Sequence, residues 1–276
     1  MQRTQISKDL FNKIILDRQL TLFIHSVYDH VINTVDLNNN LVTLTINPYK
    51  IMPMGIVLPE KEKLDTLKTL DTLTIGFTSS SLIKIEDEIE VVDLFVYSRP
   101  EHKHAFLSAY PVLIDFLIRK SSIDSFYKVI TRAGGSKELV FSKLNTYLQA
   151  LCHNSCVDET MNVFGFGRGL TPSSDDFILG LSSIFQYMGD KRLELIKVHG
   201  KKYLETTTFV SCQMLRNAWL GHYNFFIHQL LQAIVHNQLS EEILLSTTSY
   251  GHTSGMDTLF GITTGIKIIK DNSIPF

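Results

Sequence analysis

The residue pattern predicts an α+β protein. A β-rich N-terminal part, a barrel or sandwich over residues 1–100, precedes a helical part over residues 101–276, and the two are free to share one continuous core. Three observations carry this. From Gln19 to about Ser98, short β-branched and aromatic segments recur at strand spacing. After Arg99-Pro100, apolar residues instead recur three and four apart. A hydrophobic content of 44% in 276 residues supplies a sizeable core and excludes a disordered chain.

In order, LTLFIHSV, HVINTVDL, LVTLTI, TLTIGFT, SLIKI and EIEVVDLFVYS read as strands. Asn38-Asn39-Asn40 reads as a hairpin loop, because asparagine tolerates left-handed backbone angles. MPMGIVLP, from Met52 to Pro59, adds a strand bounded by prolines. The stretches AFLSAYPVLIDFLIRK, DSFYKVITRA, KELVFSKLNTYLQALCH and DFILGLSSIFQYM read as helices. So do the long TTFVSCQMLRNAWLGHYNFFIHQLLQAIVHN and the final DTLFGITTGIKIIK. The acidic IEDEIEVVD reads as the solvated side of a strand.

Twenty-six basic and 28 acidic residues, well mixed at a net charge of -2, leave no broad electrostatic footprint for nucleic acid or an anionic membrane. A local anion site remains compatible with that balance. No secretory pattern opens the chain, and no apolar run reaches the roughly 18 residues that span a bilayer. Three cysteines, Cys152, Cys156 and Cys212, suit a reducing compartment better than a disulfide framework. The expectation is a cytoplasmic protein.

The stretch FGFGRGLTPSSDDFILGL, Phe164 to Leu181, concentrates the chemistry. Thr171 is placed as an N-cap, with Pro172 at the first helical position. Open helix amides would then face Gly165-Phe166-Gly167-Arg168-Gly169, where Arg168 adds a forked cationic donor, so Gly167, Arg168, Gly169, Thr171, Ser173 and Ser174 form a candidate anion cradle. Asp175 and Asp176 pull the other way. They can hold Mg²⁺ beside a phosphate, accept from an amide or ammonium group, act as a base, or simply cap the helix, and the pattern leaves these roles open. No P-loop Gly-Lys-Ser/Thr follows the glycines, and no strand precedes them as a dinucleotide fingerprint requires.

YGHTSGMDTLFGITTG, Tyr250 to Gly265, repeats this grammar. Gly251-His252-Thr253 answers Gly169-Leu170-Thr171, and Gly261 answers Gly180. Aligning the glycines pairs Asp257 with Asp176; aligning the threonines pairs it with Asp175. The two Thr-capped helix starts are expected to converge on one site, adding Gly251, His252, Thr253, Ser254 and Asp257. Between them, Thr207, Ser211 and Leu215 share one helical stripe and Thr208, Cys212 and Arg216 another. Arg216, without an i+4 acidic partner, needs a counter-charge, an anionic ligand or solvent. Cys152-His153-Asn154-Ser155-Cys156 lacks the second ligand pair of a zinc site, and Cys212 reads as a packing residue.

Gly167-Arg168-Gly169-Leu170-Thr171-Pro172-Ser173-Ser174-Asp175-Asp176-Phe177, with Gly180, Thr206-Thr207-Thr208 through Arg216, and Gly251-His252-Thr253-Ser254-Gly255-Met256-Asp257, resembles the AllH-type family. Its named members are the AllH subunits of bacterial oxamate carbamoyltransferase. Ser174 stands where a glycine is expected in that pattern. The resemblance implies a cytoplasmic protein of purine and allantoin breakdown that acts with two other carbamoyltransferase subunits. The carbamoyl group would pass between oxalurate and phosphate, giving oxamate and carbamoyl phosphate. The resemblance assigns no catalytic residue; the residues themselves nominate Asp175, Asp176 and Asp257 for the chemistry.

Overall fold

In the computed structural model, residues 3–85, 89–132, 138–155 and 161–275 are described. They fall into two compact units: the chain up to Phe95 together with His222–Phe225, and Val96–Gly221 together with the chain from Phe226.

The first unit is built on one curled mixed sheet, a half-barrel of eight strands. Its strands are β1 (Gln5–Ser7), β2 (Gln19–Val27), β3 (Val31–Asp36), β4 (Leu41–Thr45), β5 (Gly55–Val57), β6 (Thr72–Gly76), β7 (Ile83–Lys84) and β8 (Glu90–Val92), in the order β7-β6-β2-β3-β4-β5-β1-β8. Antiparallel pairing runs from β6 through β2 and β3 to β4, whereas β4/β5, β6/β7 and β1/β8 are parallel. Along β2 buried positions alternate with half-buried or exposed ones at first, and the alternation fades past a register shift between Ile24 and Ser26. The asparagine loop closes the β3/β4 hairpin with Asn39 at φ 59°, while the Asp36 carboxylate accepts from the amides of Asn38 and Asn40. Two helices lie in stretches where none is expected above. These are α1 (Lys8–Asp17), capped by Ser7, and the seven-residue α2 (Lys61–Leu67). Leu10 and Ile14 of the first and Leu64 and Leu67 of the second join Leu22, Ile32, Val42, Leu44, Leu73 and Ile75 in the core. Of the acidic stretch IEDEIEVVD, residues 86–88 lie outside the described residues.

The second unit is helical: α3 (Lys103–Lys120), α4 (Phe126–Thr131), α5 (Glu138–Cys152), α6 (Ser173–Met188), α7 (Arg192–Gly200), α8 (Phe209–Trp219), α9 (Phe225–Val235, whose first residue belongs to the first unit), α10 (Glu241–Thr248) and α11 (Ser254–Asp271). The long stretch expected as a single helix is two, α8 and α9. Gly221 breaks it at φ 97°, and the following Tyr223 amide donates to the Leu94 carbonyl instead of continuing the helix.

At the centre, α6 and α11 run side by side in the same direction, both buried along nearly their whole length. A Cβ on Gly180 would lie 2.0 Å from the Thr258 carbonyl oxygen, and one on Gly261 would lie 1.9 Å from that of Phe177. The two glycines are where the helix backbones touch. The relation is locally two-fold, because Gly180 faces Thr258 and Ile262 while Gly261 faces their counterparts Phe177 and Leu181. Of the two alignments, the structure follows the glycines, so Asp176 is the counterpart of Asp257 and Ser173 of Ser254. No helix of the described residues is long and apolar enough to cross a membrane.

Candidate functional site

The two helix starts meet. Thr171 Oγ1 and Ser254 Oγ lie 3.0 Å apart, and each carboxyl has a hydroxyl of the other helix start beside it: Ser254 of α11 beside Asp176 of α6, and Ser173 of α6 beside Asp257 of α11. The cluster is layered. Gly167, Arg168, Gly169, Gly251 and His252 are exposed; Thr171, Ser173 and Thr253 are half-buried; Ser174, Asp175, Asp176, Ser254 and Asp257 are buried.

Only one threonine takes the expected cap position. The cap residue of α6 is Pro172 rather than Thr171, whereas Thr253 is the cap residue of α11 but makes no side-chain capping bond. The Thr171 hydroxyl is instead paired with that of Ser254 and lies beside Asp176, and the Thr253 hydroxyl lies beside Asp257. Some of the helix-start amides are also satisfied within the chain. The Ser174 amide donates to Phe166 O at 2.9 Å, those of Asp175 and Asp176 to Pro172 O, and those of Gly255 and Asp257 to Tyr250 O and Thr253 O. The glycine loop itself covers the start of α6. Gly167, at φ 131°, passes so close that a Cβ would lie 2.4 Å from the Ser173 nitrogen.

The three aspartates do different things. Asp175 organises the loop: Oδ1 accepts from the Gly165 amide at 2.8 Å, and Oδ2 accepts from the hydroxyls of Thr207 and of Ser211, the latter at 2.7 Å. Ser174 assists, its hydroxyl accepting from the Phe166 amide at 2.8 Å. The Thr207/Ser211 stripe thus faces a carboxylate. Thr208 caps α8 and reaches back to the Leu170 carbonyl. Asp257 ties in α4, accepting from the Phe126 amide at 2.6 Å, a contact with no signal in the sequence because it joins positions 131 residues apart.

Burial pushes all three carboxyls upward. For Asp175 the hydrogen bonds of Thr207, Gly165, Ser211 and Ser174 act against the rise. Burial brings Asp257 to about 6 despite the bonds from Phe126, Ser173 and Thr253. Asp176 lies well above the usual carboxylate range, since burial and the neighbouring Asp257 and Asp175 outweigh the hydroxyls of Ser254 and Thr171. Oδ2 of Asp176 and Oδ2 of Asp257 are buried without a hydrogen-bond partner among the described residues. Such oxygens suit carboxyls that carry a proton.

Arg216 is not among the contacts of this cluster. It is exposed near the end of α8 and lines a separate recess with Lys197, Lys201 and Trp219. Cys212 is buried, and burial pushes its thiol upward. Cys152 is buried in the same way, while Cys156 lies outside the described residues. Among the described residues no group of three or more His, Cys, Asp or Glu side chains is placed to hold a metal.

Two family models match the chain. Residues 163–266 match the model described as oxamate carbamoyltransferase subunit AllH, and residues 2–92 match the AllH family N-terminal domain. No curated protein and no solved structure matches it.

Proposed function

The chain belongs to the AllH family of oxamate carbamoyltransferase subunits, and on that premise we propose that it works with two other subunits to move a carbamoyl group between oxalurate and phosphate, yielding oxamate and carbamoyl phosphate. The observation that carries the site assignment is the convergence of both glycine-entered helix starts, with Thr171 Oγ1 3.0 Å from Ser254 Oγ and the helix backbones in contact at Gly180 and Gly261.

In this reading Arg168 and His252, exposed at the rim, hold phosphate or a substrate carboxylate, and the half-buried hydroxyls of Thr171, Ser173 and Thr253 orient the carbamoyl amide. As a phosphate oxygen attacks the carbamoyl carbon and the C–N bond of oxalurate breaks, the departing oxamate nitrogen must take up a proton. Asp176, kept protonated by burial, is the group suited to give it, and the proton that hydrogen phosphate releases on forming the new C–O bond restores the acid. Asp175 and Asp257 act as positioning residues, through the glycine loop and α4 respectively.

The test is co-expression with the partner subunits and an assay of carbamoyl phosphate formed from oxalurate and phosphate. Asp176→Asn, which keeps size and neutrality but removes the transferable proton, is expected to lower kcat by about 100-fold or more. Full activity in Asp176→Asn combined with Asp257→Asn rejects the site.

A second reading is a non-catalytic subunit in which the same motifs hold the fold and support partner binding. It is favoured by one observation, that the helix-start amides of Ser174, Asp175 and Gly255 are already bonded within the chain. Calorimetry separates the two: tight binding to a partner with no binding of phosphate, oxamate or carbamoyl phosphate, by the chain alone or in the complex, selects the second.

A further inference from the structure

The recess that holds Arg216 stands apart from the cluster just described. It encloses about 500 Å³ between the end of α7, the turn Leu204–Thr206 and the end of α8. Its cations are Lys197, Lys201 and Arg216, facing the single acid Glu205, and its apolar lining is Leu204, Trp219 and Leu220. Trp219 is only 9% exposed, with its six-membered ring seated against Gly200, where a Cβ would come within 2.2 Å of it, and its edge against Phe164. Trp219 is therefore fixed in place, while Leu220 is 70% exposed at the mouth of the recess.

Cations in the last turn of a helix balance its dipole, which accounts for Lys197 and Arg216 singly. It does not account for three of them around one apolar hollow. Lys197 pairs with the largely exposed Glu194, and none of the ion pairs among the described residues involves Lys201 or Arg216. A hollow of this size falls in the range that encloses a small organic ligand. Phosphate or oxamate would leave most of it unfilled.

We propose that this recess binds an organic anion of about nucleotide size, its phosphate or carboxylate on Arg216 and Lys201 and a flat apolar group against Trp219, Leu204 and Leu220. The apolar lining excludes inorganic ions as the preferred occupant, and the cationic rim excludes neutral ligands. The site is independent of the carbamoyltransferase reading, since no residue is shared with the helix-start cluster.

Trp219 is the one tryptophan of the chain, so intrinsic emission reports directly on the recess. The full chain is titrated with adenosine monophosphate, phenyl phosphate and inorganic phosphate, following Trp219 emission. The proposal expects saturable changes with adenosine monophosphate or phenyl phosphate, at least about tenfold tighter than with inorganic phosphate. Which of the two organic probes binds tighter distinguishes a nucleotide from a simpler aromatic anion. Arg216→Ala with Lys201→Ala, both at exposed positions and expected to retain the parent's circular dichroism, should weaken that binding about tenfold or more. Leu204→Asn, which alters the lining and not the charge, should weaken phenyl phosphate and spare inorganic phosphate. Equal affinity for inorganic and phenyl phosphate, unchanged titration in the double variant, or no saturable change with either organic probe overturns the proposal. So does a Trp219 response that appears only on adding a partner subunit, which makes the recess a protein contact.

Discussion

Gly261→Ala tests the packing on which the cluster depends. On an ordinary helix this change is stabilising by about 1 kcal/mol, because alanine has the better helix propensity. Here the added Cβ would lie 1.9 Å from the Phe177 carbonyl oxygen and 2.8 Å from the Leu181 nitrogen. Both are backbone atoms of α6, so no rotamer change relieves the clash. A normal carbon–oxygen contact needs more than 3 Å, so α11 and α6 must separate by about 1 Å at their closest point. That separation loosens the packing of Phe177 against Phe260, whose ring centroids are 4.9 Å apart, and draws Asp176 away from Ser254. Overpacking costs about 1–3 kcal/mol and more where backbone must shift; net of propensity, the expected loss is about 3 kcal/mol. In urea unfolding this lowers the midpoint by about 1 M for an m-value near 3 kcal/mol/M. Gly265→Ala provides the contrast, since its Cβ would meet the Ile184 side chain at 2.2 Å, and Ile184→Ala should restore stability there. A Gly261→Ala protein as stable as the parent, or more so, would refute the reasoning.

Two further outcomes follow from the carboxyls. Asp257 is raised from 3.8 to about 6, so the folded chain binds that proton more tightly than the unfolded chain. Its contribution is fully present below 3.8 and declines as pH rises through about 6, by about 3 kcal/mol in all, and Asp257→Asn should flatten that part of a urea stability–pH profile; parallel profiles for the two proteins would count against it. Asp175→Ala strands the Gly165 amide and the hydroxyls of Thr207 and Ser211, with an expected loss of about 3 kcal/mol. Hydrogen exchange at Gly165 and proteolysis within Gly165–Leu170 should both accelerate; unchanged protection at Gly165 contradicts the role given to Asp175.

Much of the fold and of the motif geometry was legible in order along the chain. Strands, the asparagine hairpin and the main helices follow from periodicity and turn chemistry, which act over a few residues. So does the resemblance in the C-terminal half. The match over residues 2–92 had no counterpart in the reading of the N-terminal part, where short strands supply general layout and no distinctive motif. Helix α1 is legible in the three-and-four spacing of Leu10, Phe11, Ile14 and Ile15, although no helix is expected there above, whereas the seven residues of α2 are too few to show a period. Thr171 was placed as a cap because Thr-Pro before Ser-Ser-Asp-Asp is local helix-start chemistry. A partner across the interface, Ser254, proved the stronger claim on its hydroxyl.

By itself the sequence determined the composition of the cluster: two glycine-entered helix starts, their hydroxyls and three aspartates. Those are matters of residue type and short spacing. Only tertiary structure decided that the glycines bring α6 and α11 into backbone contact, that Asp176 rather than Asp175 is the counterpart of Asp257, and that Arg216 lies elsewhere. The physical reason is that these outcomes depend on distances between segments some 80 residues apart, and on burial, which sets the protonation of each carboxyl and is a property of the packed chain.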